Sequence, residues 1–363
     1  MALTDPKLLY SLIGIFLVIF GSTIVLWGKL SKSTFKLIAL RTISLLSLNF
    51  LIVGICGLAI NGRGNFYTSW NELLGKNEKP VIVSEQSANR ITSSDLDNAE
   101  FTKSGTAIIK KLVKGEKSKV ISHIYISIPS SLVSAIKNGA KSRDDYRVIE
   151  YLPGYPGKAA AWVHGMAIAT RQDEATKDGK LPEVIAVAPE INVAGKFDAE
   201  CMNIPDGKQI ETWLSDDVVS LVNDWLSLRN QPWGIAGYST GAWCATMLSL
   251  RHPDTYQFAA AIAGYYSPLI SRKIPENYHQ QLLSEYDIFS ILKDRPPAVH
   301  LYVVNSVDDP SSHAPTELLL KRIQKPVDVT EVILSGAGHN FQAWKRTLTP
   351  MLEWFGKQMK VQP

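Results

Sequence analysis

Cysteine is scarce in these 363 residues: three occur, Cys56, Cys201 and Cys244. None belongs to a C-x-x-C pair and no histidine stands at ligand spacing from them, so a structural zinc site has no ligand set. An excess of charge of one sign is missing too. Lysine and arginine number 38 against 34 acidic residues, a net charge of +4. No basic patch carries interleaved aromatics, which argues against a nucleic-acid partner. There is no internal repeat, so solenoid and propeller architectures have no support. At 45% hydrophobic and 20% charged residues, the chain has the composition of a folded protein with a large core.

Long uncharged runs are present, both near the N-terminus. Leu8–Trp27 is free of charge for 20 residues and Thr42–Ile60 for 19. As helices, each would be about 30 Å long, close to the hydrocarbon thickness of a bilayer. Both read as transmembrane helices, against a cleaved signal peptide for the first and a buried core helix for the second. Their connection carries Lys29, Lys32, Lys36 and Arg41, against Lys7 before the first and Arg63, Lys76 and Lys79 after the second. The positive-inside rule therefore places the connection in the cytoplasm and the rest of the chain outside. The expected organisation is a two-helix membrane anchor over 1–61, a polar linker or peripheral region over 62–104 and a catalytic domain over 105–363.

The domain opens with two apolar runs, Thr106–Val113 and Val120–Pro129, around a polar turn, the pattern of a hairpin. Strand-like and helix-like stretches then alternate. Tyr146–Leu152 and Val184–Ala188 read as strands, Ala159–Arg171 and Glu211–Leu228 as helices, with a later helix near Glu317–Ile323 and a last one ending about Lys357. Such alternation predicts an α/β fold, a mostly parallel sheet covered by helices on both faces.

Within it lies Gly237-Tyr238-Ser239-Thr240-Gly241, preceded by the apolar run Trp233–Ala236 and followed by Ala242–Leu248. Strand, G-x-S-x-G and helix in that order describe a nucleophile elbow, with Ser239 as the nucleophile. His339 follows the last apolar strand in Gly336-Ala337-Gly338-His339, at a strand's carboxyl end where sites of open α/β sheets collect, and is the expected base. Either Asp308 or Asp309, after the strand Ala298–Val304, is placed to orient it. The order Ser, Asp, His is that of α/β-hydrolases. One oxyanion donor is expected from Thr240 N–H. A second is sought in Pro153-Gly154-Tyr155-Pro156-Gly157, where the prolines have no N–H to give and Tyr155 is favoured over Gly154 and Gly157, the alternative for the whole stretch being an ordinary Pro/Gly turn.

Leu152–Gly157, Phe197–Cys201, Gly237–Ala245, Arg251–Asp254 and Gly338–Phe341 together resemble the esterase family of the α/β-hydrolase superfamily that includes esterase D and the secreted mycolyltransferases of actinobacteria. The resemblance covers about Gly105–Phe355. It implies carboxylic ester chemistry on an acyl substrate, lipid and glycolipid esters included, no cofactor, and a triad of Ser239, Asp309 and His339. It also allows transfer of the acyl chain to a sugar or lipid hydroxyl. An inactive binding or scaffold protein on the same fold is the alternative from another class. Outside the cell Cys201 and Cys244 are free to pair, the alternative being two buried thiols. Tyr265–Pro296 reads as an insertion beside the site, its aromatics mostly packing residues.

Overall fold

Runs of Val, Ile and Ala too short for helices become the strands of one sheet. The structure, a computed structural model, describes residues 3, 5–30, 34–64, 70–73, 90–139, 146–195, 197–229 and 231–360. The short apolar run Val81–Val83 lies outside them. The chain divides into two compact units, Met1–Val81 and Ile82–Pro363.

In the first unit, the two uncharged runs form helices α1 (Pro6–Leu30) and α2 (Phe35–Gly64). Asn61 reaches the Leu3 carbonyl at 3.4 Å and the Arg41 guanidinium lies 4.3 Å from the centre of the Trp27 ring, so the helices run antiparallel. Both are long and apolar enough to cross a membrane, and their apolar windows are 0% and 6% buried. Their polar side chains turn inward on their own helix: Thr23 bonds Ile19 O at 2.8 Å, and Ser44 and Asn49 bond Leu40 O and Leu45 O at 2.9 Å.

Among the described residues, the second unit holds nine strands: β1 (Glu100–Phe101), β2 (Ala107–Lys114), β3 (Ile121–Ile128), β4 (Arg147–Leu152), β5 (Val184–Pro189), β6 (Trp233–Tyr238), β7 (Tyr256–Ile262), β8 (His300–Ser306) and β9 (Asp328–Leu334). Their order in the sheet is β1-β2-β3-β5-β4-β6-β7-β8-β9. The expected hairpin is β2–β3, antiparallel throughout, and β3 joins β5 antiparallel. From β5 to β9 every neighbour is parallel. Strands β5 and β6 are buried along their whole length, and β4 along all of it but Arg147. In β6, Trp233 and Ile235 enter one core, with Trp213, Trp225 and Trp243, while Ala236 and Tyr238 enter the opposite core, with Trp162 and Phe355. That two-residue alternation between two covered faces is the α/β sandwich the sequence predicts.

Three boundaries differ from expectation. Ile91 and Leu96, assigned by composition to the polar linker, are buried in the core, and β1 extends the hairpin, so this stretch belongs to the folded unit. Its polar letters mislead because a short capped helix, Ser93–Asp97, needs them: Asp95 accepts the Thr92 N–H at 2.9 Å. The helix expected over Ala159–Arg171 is a π-helical turn, Ala161–Gly165, and a separate helix, Ile168–Lys177, broken where Ala167 takes φ 52°. The helix expected near Glu317 begins at Pro310. Pro310 suits the first helical position, whereas Pro315, which suggests a breaker, sits inside the helix.

Candidate active site

Register puts the loops that matter side by side. Leu152 of β4 pairs with Gly237 of β6, and Ser306 of β8 with Leu334 of β9, so the chain leaves four strands at one edge of the sheet. Ser239 stands between β6 and the helix Thr240–Arg251 with φ 56° and ψ −124°, a conformation that costs a non-glycine residue about 1–3 kcal/mol. Its backbone is fixed on both sides: its N–H donates to Ile262 O at 3.0 Å, and its carbonyl accepts the N–H of Ala242 at 2.9 Å. The flanking glycines make the turn possible. A Cβ on Gly237 would stand 2.0 Å from Gly241 O, and one on Gly241 would stand 2.2 Å from Leu152 O.

His339 follows β9, and Asn340 after it caps the next helix by accepting the N–H groups of Gln342 and Ala343 at 3.0 and 3.1 Å. The Trp344 ring meets the imidazole edge-on at 5.0 Å. His339 Nε2 lies 2.9 Å from Ser239 Oγ, and His339 Nδ1 lies 2.8 Å from Asp309 Oδ2. The Asp309 side chain is only 5% exposed. Burial alone would raise its pKa, but hydrogen bonds from Ser311, His339 and Ser312 outweigh that and hold it below the ordinary carboxylate value. Asp308 is turned elsewhere: its Oδ2 accepts the N–H of Gly336 at 3.0 Å and so braces the glycine turn that carries His339. The two adjacent aspartates, indistinguishable in the residue pattern, thus make different contacts.

Gly154 lies against the elbow, since a Cβ there would come 3.0 Å from Ser239 Cβ. Tyr155 follows, joined to Pro156 by a cis peptide. Asn192, beyond β5, donates its side-chain amide to the carbonyls of Gly154, at 3.1 Å, and Gly157. Among the described residues, no acceptor is hydrogen-bonded to Tyr155 N–H or Thr240 N–H. Asn192 has no sequence signal of its own; only the crossing of β5 past β4 makes it a neighbour.

A second group surrounds Thr240. Its hydroxyl donates to Asp198 Oδ2 at 2.9 Å, and Tyr265 Oη lies 3.2 Å from Thr240 Oγ1 and 2.8 Å from each Glu200 carboxyl oxygen. Glu200 and Cys201 both take φ 56°. That pair is pinned: Cys201 and Cys244 form a disulfide with Cα atoms 5.7 Å apart, and Trp243 Nε1 donates to Glu200 O at 3.1 Å. Tyr265 therefore belongs to a polar cluster rather than to the packing role expected of most aromatics in its segment.

The remaining histidines lie elsewhere. His252 is bound to Glu211 at 2.7 Å and His313 to Asn305 at 2.7 Å, while burial and the charges of Lys110 and Lys158 push His123, in β3, down to about 4. Among the described residues, no group of three or more His, Cys, Asp or Glu side chains is arranged to hold a metal.

Solved structures share this fold across most of the chain. A ferulic acid esterase superposes with a TM-score of 0.57 at 16% identity, covering 69% of this chain and 97% of its own. An S-formylglutathione hydrolase from Agrobacterium tumefaciens gives 0.59 at 13%, covering 70% and 96%. FphF, a fluorophosphonate-binding serine hydrolase of Staphylococcus aureus, gives 0.56 at 14%, covering 69% and 98%. At such identities the likeness establishes the α/β-hydrolase fold alone. A comparison with curated proteins finds no match. The family model described as "Putative esterase" matches residues 138–355, a span that holds Ser239, Asp309 and His339, and by that match the chain belongs to this family of ester-acting enzymes.

Proposed function

We propose that the protein is a membrane-anchored serine esterase, its catalytic unit outside the cytoplasm, that cleaves carboxylic esters through an acyl-enzyme on Ser239. The observation that carries this reading is the unbroken chain from Ser239 Oγ through His339, at 2.9 Å, to Asp309, at 2.8 Å, on a strained strand-to-helix turn. His339 Nε2 takes the Ser239 proton as Oγ attacks the ester carbonyl carbon. The tetrahedral oxyanion accepts hydrogen bonds from the Thr240 and Tyr155 N–H groups, each worth about 3 kcal/mol in the transition state. His339 then returns the proton to the leaving alkoxide, and the same steps with water release the acid. Asp309, kept ionised, holds His339 in the tautomer with hydrogen on Nδ1 and stabilises the imidazolium.

The basic connection between α1 and α2 and the Cys201–Cys244 disulfide both support the extracytoplasmic orientation. The full-length protein in detergent is expected to turn over p-nitrophenyl esters. Ser239→Ala should lose at least about 10⁴-fold and should no longer be labelled by a fluorophosphonate. Retained activity in that variant would refute the assignment. Orientation is tested with a membrane-impermeant fluorophosphonate on intact cells: labelling only after permeabilisation would reverse it. Adding sugar or lipid alcohols to the same assay reads hydrolysis against acyl transfer.

A further inference from the structure

Leu269 and Val307 are the most exposed large apolar side chains among the described residues of the second unit, at 63% and 58%, and Tyr155 adds 39%. Apolar side chains scattered singly over a surface are ordinary. These three stand together. Tyr155 follows Gly154, the residue packed against Ser239. The Leu269 backbone is hydrogen-bonded to Glu200, which Tyr265 also reaches, and Tyr265 lies 3.2 Å from Thr240. Val307 stands two residues before Asp309. Their loops leave β4, β7 and β8 at the edge that carries the triad, and β4, β6, β7 and β8 are consecutive in the sheet. At about 4.8 Å between strands, the three loops depart within about 15 Å of one another.

Cations stand beside them. Lys158 follows Tyr155, and Arg272 and Lys273 follow Leu269, all at exposed positions. The acids beside the triad are engaged: Asp309 with His339, Asp308 with the Gly336 N–H, Asp198 with Thr240 and Glu200 with Tyr265. The site between these loops is open, with the His339 side chain 36% exposed. Outward apolar groups bordered by cations match a surface that is apolar inside and anionic at its headgroups. The same chain carries two helices long and apolar enough to cross a membrane, and a tether makes docking intramolecular, so that a few contacts suffice.

We propose that Tyr155, Leu269 and Val307, with Lys158, Arg272 and Lys273 beside them, dock the mouth of the site onto an anionic lipid bilayer, so that Ser239 takes esters dissolved in that bilayer in preference to esters in water. The proposal rests on the reading of Ser239 and of the anchor given above. Docking removes the apolar rim from water and lets an acyl chain pass from lipid to the serine without crossing solvent. The acyl-enzyme steps are the same for both kinds of ester; what docking changes is supply.

The test uses the full-length chain in nanodiscs of equal parts phosphatidylcholine and phosphatidylglycerol, with 4-methylumbelliferyl palmitate dissolved in the bilayer and p-nitrophenyl acetate in the water. Leu269→Asp and Val307→Asp put a charge where lipid would press. Each should lower kcat/KM on the bilayer ester about tenfold, the loss expected when one large apolar side chain is kept from lipid. Turnover of p-nitrophenyl acetate should be unchanged, which also shows that the variants fold. Replacing Arg272 and Lys273 together by glutamate should weaken use of the bilayer ester in anionic discs and not in discs of phosphatidylcholine alone. Docking is also read without catalysis, from an environment-sensitive fluorophore on Val307→Cys in a Cys56→Ala background that keeps the disulfide pair. Doxyl-labelled lipids in the anionic discs should quench it. An unquenched label overturns the proposal, and so does a ratio of bilayer-ester to acetate turnover that both aspartate variants share with wild type. Shielding of the label that follows protein concentration rather than lipid overturns it as well, in favour of a second copy on this rim. Absence of turnover and of Ser239 labelling refutes the catalytic reading instead, and the quenching still decides the docking.

Discussion

Asp308 and Asp309 are adjacent and chemically alike, and their variants should differ sharply. In Asp309→Asn one of three accepted hydrogen bonds must fail, because Ser311 donates to Oδ1 while Ser312 and His339 donate to Oδ2. If the new NH2 takes the Oδ1 place, the Ser311 hydroxyl can rotate away and only the negative charge is lost. A charge-assisted hydrogen bond is worth about 1.5–3 kcal/mol, or roughly 10- to 100-fold in rate. If it takes the Oδ2 place, His339 must turn its bare nitrogen to it and carry its hydrogen on Nε2, facing Ser239, where it cannot act as base; the loss then approaches about 10⁴-fold. Asp308→Asn keeps an acceptor for the Gly336 N–H and should cost under about 1 kcal/mol, less than roughly fivefold. Initial rates on a p-nitrophenyl ester, with melting temperatures to exclude misfolding, make the comparison. A greater loss in Asp308→Asn than in Asp309→Asn would refute the assignment of the acid.

Gly241→Ala places a Cβ 2.2 Å from Leu152 O and should destabilise the domain by about 1–3 kcal/mol or prevent folding; a denaturation midpoint within error of wild type would contradict the packing described. Replacing both Cys201 and Cys244 by alanine opens a link across a sequence separation of 43, worth roughly 4 kcal/mol by chain entropy, so an unchanged melting temperature would argue against the disulfide. Glu211 is buried, yet its hydrogen bonds from His252, Arg251 and Tyr286 outweigh burial and bring it down to about 2. Its contribution is present above the ordinary value of 4.5 and lost as pH falls toward 2; Glu211→Gln should flatten the acid limb of the stability curve, and an unaltered limb would dismiss the network. Asn192→Ala frees the Gly154–Gly157 loop and should lower kcat more than it raises KM, the pattern of a lost transition-state contact.

What was legible in the sequence was whatever a short window dictates. The elbow announces itself because a strained serine between two close backbones demands glycine on both sides. His339 is legible for a related reason, a glycine-rich turn after a strand. Asp308 and Asp309 were separable only by resemblance, since they lie two and three residues past β8 and what parts them is Gly336, 28 residues on from Asp308. The Glu200–Tyr265 contact spans 65 residues and Asn192–Gly154 spans 38, and no periodicity encodes either. The stretch from Ile91 to Phe101 was misassigned because a small apolar count hides in polar capping residues. Composition reports the average of a segment, whereas the core needs only Ile91 and Leu96 from it.

Ser239 and His339 stand 100 residues apart in the chain while their reactive atoms touch. Synthesis runs from α1 toward the final helix, so α1 and α2 leave the ribosome long before the imidazole exists, and N-terminal parts can settle first. Until β9 is laid against β8, the nascent chain carries Ser239 with no imidazole beside it. The pair is thus a product of late closure: no nascent chain that stops short of His339 holds it, whatever esters that chain meets.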